Sequence, residues 1–235
     1  MASILLPGGE LKLDVAVFIV DYRLLSSHTL SCRLGSQLKS AIKQTPMRIA
    51  SLNQEMMVAS KHEVIDLGSS QLLRWNILSI GKGLDEKSLP APGPRKVLSL
   101  HFDDVEEDHP QAGLFAARLE DIQKAINFSR EVGDQPLLIH CFAGISRSTA
   151  LAWLIIYDKL KHKPGAVRQA FEIVRKLRPV LQPNRHVLKL GVEALAAKGR
   201  RGRVLQQFQE CLAELYQGQP VQQPELTGPP AARSR

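Results

Sequence analysis

The stretch Pro136-Leu137-Leu138-Ile139-His140-Cys141-Phe142-Ala143-Gly144-Ile145-Ser146-Arg147-Ser148-Thr149 decides how the rest of the chain is read. A short apolar run ends in His-Cys, five residues separate the cysteine from Arg147, and a hydroxyl residue and a long apolar stretch follow. The run predicts a buried strand over 137–139. The stretch 147–160 predicts a helix, apolar nearly all round through Leu151, Trp153, Leu154, Ile155 and Ile156, and therefore central and buried. Strand, tight loop and helix in that order turn backbone N–H groups inward and set a helix N-terminus beneath a bound anion. The positive helix end and Arg147 both favour negative charge on a sulfur at Cys141. The segment therefore combines a nucleophile, an anion cradle and a fixed cation.

Working outward, Leu119, Ile122 and Ile126 recur at helical spacing and Gly133 stops that helix. Before it, residues 77–80 predict a buried strand, and residues 96–102 a second one with Leu98, Leu100 and Phe102 on one face. Residues 69–74 read as a short helix, 85–95 as a Pro/Gly-rich loop and 103–108 as an acidic loop. Downstream, Pro164 opens a helix to about residue 177 and Pro183 another to about residue 197. A last amphipathic segment covers 204–216. Strands alternating with helices predict an α/β fold, a central mixed or parallel sheet flanked by helices. Ligands of such sheets sit at the carboxyl ends of the strands, where Cys141 stands.

The ends are less defined. Residues 1–46 are a poorly specified N-terminal extension, in which only the β-branched-rich run 15–20 reads as a strand. More orderly text begins at Met47, a candidate alternative start. The expected organisation is a principal domain over 47–198, a C-terminal helix over 199–217 and a disordered Pro/Gln-rich tail over 218–235. The chain has 235 residues, 44% of them apolar, enough for a globular core. Several charges of the net +8 lie in Lys198-Gly199-Arg200-Arg201-Gly202-Arg203. No aromatic residue interleaves with that run, so it reads as a solvated hinge and not as a nucleic-acid surface.

Three scattered cysteines (Cys32, Cys141, Cys211) argue against a disulfide framework and for a reducing compartment. No spacing suits zinc, so neither metal nor cofactor is expected. The run 15–20 is too short and too acid-flanked for a secretory leader, and no run approaches a membrane span. The expectation is a cytoplasmic protein without membrane partners. The oligomeric state is left open.

The segment from His140 to Ser148 fits His-Cys-x-Ala-Gly-x-x-Arg-Ser and resembles the signature loop of cysteine-based protein-tyrosine and dual-specificity phosphatases, most nearly their small bacterial dual-specificity-like members. Pro183-Asn184-Arg185 resembles the element those enzymes place behind the loop. The resemblance covers roughly residues 60–197. It implies a metal-independent phosphoric monoester hydrolase acting on a phosphorylated protein or a small phosphoester. Cys141 is then the nucleophile, Arg147 the phosphoryl clamp, and Ser148 a hydrogen-bond donor to sulfur. Phe142, Ala143, Gly144, Ile145, Ser146 and Arg147 would cradle the phosphate with their N–H groups. His140 would support the loop from behind through a ring nitrogen bonded to backbone. The general acid maps best onto Asp104, with Asp103 next and Asp108 third. Crowding of these carboxylates favours keeping one of them protonated.

By the same resemblance Asn184 and, more weakly, Gln182 position the loop or the attacking water; as a bare residue Asn184 reads as a helix N-terminal turn group. His101, His109, His162 and His186 read as surface or core residues, and Trp153 as core. Other readings stay open: a small-molecule or RNA 5′-phosphate phosphatase, for which the basic run near residue 200 counts only if it lies beside the loop, a phosphate-binding module without turnover, and, lowest, a sulfurtransferase.

Overall fold

The computed structural model describes residues 2–6, 9–13, 45–81 and 95–217. They belong to two units, one of residues 42–215 and one of residues 1–41 with 216–235. In the second unit, β1 (Ala2–Leu6) and β2 (Gly9–Leu13) pair antiparallel, Ala2 opposite Leu13 and Leu6 opposite Gly9. The strand expected over 15–20, most of the loop at 85–95, the tail and Cys32 lie outside the described residues.

The larger unit is α/β, a mixed five-stranded sheet flanked by helices. Its strands are β3 (Met47–Ile49), β4 (Gln54–Ser60), β5 (Asn76–Ile80), β6 (Lys96–Leu100) and β7 (Leu137–Cys141), in the order β3-β4-β7-β5-β6. β3 runs antiparallel to β4, and every other pairing is parallel. The carboxyl ends of β4, β7, β5 and β6 therefore lie in a row, which lines up Lys61, Cys141, Gly81 and the acidic loop along one edge of the sheet.

The hairpin β3–β4 is absent from the sequence reading. Gln54-Glu55-Met56-Met57-Val58-Ala59-Ser60 neither alternates nor carries Gly or Pro at its ends, the two cues a strand reading uses. Tertiary structure makes it a strand: five of its seven residues are buried, and Gln54 Nε2 donates to Gln135 O at 2.7 Å.

One face of the sheet carries Met57, Ala59, Leu138 and Ile77. They pack with Trp75, with Val64 of α1 (Lys61–Asp66) and with Leu72 of α2 (Gly68–Leu72). Four further helices follow: α3 (Leu119–Val132), α4 (Arg147–Leu160), α5 (Ala166–Leu177) and α6 (Arg185–Leu195). α4 is central, in contact with β4, β7, α3, α5 and α6, and nearly all its side chains are buried. Trp153 is core, its Nε1 donating to Val167 O at 3.1 Å. α7 (Arg201–Tyr216) seats Phe208 on Trp153 with ring centroids 4.5 Å apart. α6 approaches α4 so closely that a Cβ at Gly191 would lie 2.2 Å from Leu154. No helix among the described residues is long and apolar enough to cross a membrane.

Several boundaries differ from the sequence reading. The short helix ends at Leu72 and not at 74, and α1 precedes it. β6 stops at Leu100, where the chain turns into the acidic loop, although Phe102 stays buried. Pro164 sits in the turn before α5, because Gly165 takes a left-handed conformation (φ 65°) as N-cap. Asn184 caps α6, its Oδ1 accepting from Val187 N at 3.0 Å, which leaves Pro183 outside that helix. α6 ends at Leu195, and α7 starts at Arg201 after a turn at Lys198–Arg200. Gly133 stops α3 as expected, its N–H donating to Ser129 O.

Candidate active site

β7 delivers Cys141 to the sheet edge, and the chain reverses through residues 142–146 into α4. The sulfur is buried, 3.2 Å from Ser148 Oγ and 3.3 Å from the N–H of Gly144. Gly144 is required by the turn. Its φ is 72°, and a Cβ there would lie 2.6 Å from the backbone of Ala59 and Ser60, so the loop presses against the end of β4. The N–H groups of Ala143, Ile145 and Ser146 donate to no protein acceptor among the described residues. The carbonyls of the loop, by contrast, are tied back. Ala143 O accepts from Arg178 Nη2, Ile145 O from Gln182 N, and Ser146 O from Asn184 N and Thr149 Oγ1. Carbonyls turned outward and donors left open make an anion cradle.

Arg147 opens α4. Its Nη1 donates to Phe102 O at 2.7 Å, and the side chain is buried. Gly81 makes room for it: a Cβ at that residue would stand 2.7 Å from Arg147 Nη1. Cys141, Arg147, Phe142, Gly81, Ile80, His140, Lys61 and Asp103 line a cavity of about 210 Å³. Phe142 is 59% exposed at its mouth, edge-on to His62.

The acidic loop closes the β6 side. Asp104 Oδ1 accepts from Ser146 Oγ at 2.6 Å and from Asn184 Nδ2 at 2.9 Å, so the loop and α6 hold it at the rim. Asp103 lines the cavity itself, its Oδ2 accepting from Phe115 N at 3.0 Å. Asp108 is turned to other work. The N–H of Ala116 and then the guanidinium of Arg118 hold its carboxyl below the usual carboxylate range. A carboxyl kept ionised in this way is a poor proton donor, so crowding does not leave Asp108 protonated.

His140 stands in β7, next to Cys141. Its ring lies on the α1 side of the sheet, buried, and neither ring nitrogen makes a hydrogen bond among the described residues. Burial pulls its pKa down to about 4, against a weaker opposing influence of the Cys141 backbone, and the charge of Lys61 adds to the fall. The imidazole is therefore neutral at pH 7. Arg178, at the end of α5, braces the loop. Its Nη1 reaches both carboxylate oxygens of Glu63, at 2.9 and 3.0 Å, while Nη2 holds the loop carbonyl of Ala143 at 3.2 Å. Glu63 also accepts from Ser60 N, and Ser60 Oγ accepts from Glu63 N, a complete capping box. The pattern Ser60-Lys61-His62-Glu63 carried that signal. Nothing in the sequence around Arg178 pointed to Glu63.

His101, His109 and His162 are exposed, and His186 meets Ala117 O at 3.0 Å. Cys141 and Cys211 are both buried free thiols. The basic run lies at the far end of α6 from the loop, about 16 Å along that eleven-residue helix, so it does not flank the cavity.

No protein-family model matches the sequence, and no curated protein matches it. Solved structures similar to it are distant. The crystal structure of DUSP15 is 20% identical over 71% of this chain and 96% of that one, with a TM-score of 0.44. A mouse putative dual specificity phosphatase complexed with zinc tungstate is 15% identical over 71% and 94%, with a TM-score of 0.45. The human tyrosine phosphatase-like serine/threonine/tyrosine-interacting protein is 18% identical over 65% and 95%, with a TM-score of 0.46.

Proposed function

We propose that the chain is a phosphomonoesterase of the protein-tyrosine or dual-specificity type, working through a cysteinyl-phosphate intermediate. The observation that carries this reading is a buried sulfur within 3.3 Å of both a hydroxyl and a backbone N–H, in a loop whose Ala143, Ile145 and Ser146 amides are open and whose arginine is buried and lines the same cavity.

In this mechanism the Cys141 thiolate attacks phosphorus in line. The S–P bond forms as the ester P–O bond breaks, and the leaving oxygen takes a proton from Asp104. Arg147 and the N–H groups of residues 142–147 hold the equatorial oxygens through both steps. Water then attacks phosphorus and gives its proton to Asp104. The departing sulfur accepts a hydrogen bond from Ser148 Oγ–H. Asn184 is a positioning residue that holds Asp104 by its amide. No metal takes part in either step.

Hydrolysis of 4-nitrophenyl phosphate in chelator and reductant, with Cys141→Ser alongside, tests the reading. Turnover that survives the chelator and is lost in the variant is expected. Turnover that persists in Cys141→Ser would overturn it.

A further inference from the structure

Among the described residues lining the cavity, the cations are Arg147 and Lys61. The proposed reaction uses only the first. Lys61 follows β4, and its backbone N–H donates to Phe142 O at 3.1 Å, which anchors it to the loop carrying Cys141. The side chain is half-buried, and its ammonium has no hydrogen bond or ion pair among the described residues. Arg178, by contrast, has Glu63. A cation in a cavity wall without a carboxylate partner leaves its charge and donors available to an anionic ligand.

Its place in the sheet order gives the ligand a direction. The carboxyl end of β4 lies on one side of Cys141, while the acidic loop with Asp103, Asp104, Glu106 and Glu107 follows β6, two strands away on the other side. One flank of the cavity is thus cationic and the other anionic. The exposed ring of Phe142 lines the same cavity, with His62, the residue after Lys61, edge-on to it at 6.2 Å. The structure assigns Lys61 as a specificity-determining residue that binds a second anionic group, a carboxylate or another phosphate, carried by the phosphomonoester on the β4 side of the scissile phosphate. This rests on the phosphomonoesterase reading. The ligand is a small bis-anionic ester and not an acidic phosphopeptide. A peptide chain extends to both sides of its phosphorylated residue and would bring acidic side chains against the carboxylates of the 103–108 loop.

The test compares phenyl phosphate with 3-carboxyphenyl phosphate as substrates of the wild type, Lys61→Met and Lys61→Arg. The same two esters are also titrated calorimetrically into Cys141→Ser and into Cys141→Ser combined with Lys61→Met. The wild type is expected to favour the carboxylated ester. Lys61→Met should shrink that preference about tenfold, chiefly through KM, and Lys61→Arg should keep it. An unchanged preference in Lys61→Met, or a loss in Lys61→Arg equal to that in Lys61→Met, overturns the assignment. Because either variant retains the backbone N–H to Phe142, equal melting temperatures show that folding is not the cause.

If the wild type hydrolyses neither ester, yet Cys141→Ser binds the carboxylated one more tightly in a Lys61-dependent manner, the phosphomonoesterase reading fails and the anion site stands. A preference seen only for a Glu-flanked over a Gln-flanked phosphotyrosine peptide would overturn the small ligand.

Discussion

The two flanks of Cys141 are held in different ways. On the β4 flank an ion pair does the holding: Arg178 grips Glu63 and the loop carbonyl of Ala143, while Gly144 packs directly onto the backbone of β4. On the β6 flank Arg147 holds the backbone at Phe102, and the exposed carboxylate of Asp104 is held only by neutral donors, Ser146 and Asn184. The first arrangement suits a cradle that must keep its donors aimed while charge moves. The second suits a group that exchanges a proton with a leaving oxygen and with water. A fixed flank and an exchangeable one are what the proposed two-step phosphoryl transfer asks for.

The comparison breaks most severely at Asp104, the proposed acid. Asp104→Asn should lower kcat on phenyl phosphate by about 100-fold or more, and much less on 4-nitrophenyl phosphate, whose leaving group needs no proton. Asp103→Asn should cost far less. The reverse ranking in steady-state assays would move the acid to the residue that lines the cavity.

Next in size is the buried imidazole on the fixed flank. The folded pKa of His140, about 4, lies below its ordinary value of 6.5. The unfolded chain therefore binds a proton first as pH falls. Stability is complete above about pH 6.5 and is lost progressively towards pH 4, by up to about 3 kcal/mol. Urea unfolding of wild type and His140→Gln at pH 7 and pH 4.5 checks this: the variant should lose less on acidification. Equal losses would mean that the imidazole is protonated in the folded protein.

The ion pair should be worth somewhat less, because Glu63 is partly exposed. Glu63→Gln is expected to destabilise the fold by about 2 kcal/mol and to reduce kcat as the loop loosens. A double-mutant cycle with Arg178→Met in urea would show whether the two side chains act as one unit.

The smallest effect is expected at Asn184. Replacement by Ala removes the α6 cap, at about 1 kcal/mol, and frees Asp104. Asn184→Asp keeps the cap without the amide donor, so a kcat loss shared by both variants but a stability loss confined to Ala would separate its two roles.

Much of this was legible locally. The order strand, His-Cys, glycine-bearing loop, Arg, apolar helix is written within fourteen contiguous residues, and chain connectivity alone puts Ser148 and Gly144 against the sulfur. The roles of Asn184 and Asp104 come from the family resemblance, which the apolar pattern supports only by marking the helix and strand ends beside them. β4 was not found, since its buried polar Gln54 and paired methionines carry no period. With β4 unseen, the flank it builds was out of reach.

By itself, then, the sequence determined the α/β character, the buried central helix and the identity and spacing of the cysteine loop, because each depends on near neighbours along the chain. Only the tertiary structure decided which strand ends adjoin that loop. The parallel register of β4 on β7 sets Ser60 beside Cys141, and with it Lys61 on the cavity wall and Glu63 opposite Arg178, 115 residues away in the chain. Such a meeting is selected by packing of the whole sheet and its helices, a sum over distant contacts that no local stretch of residues encodes.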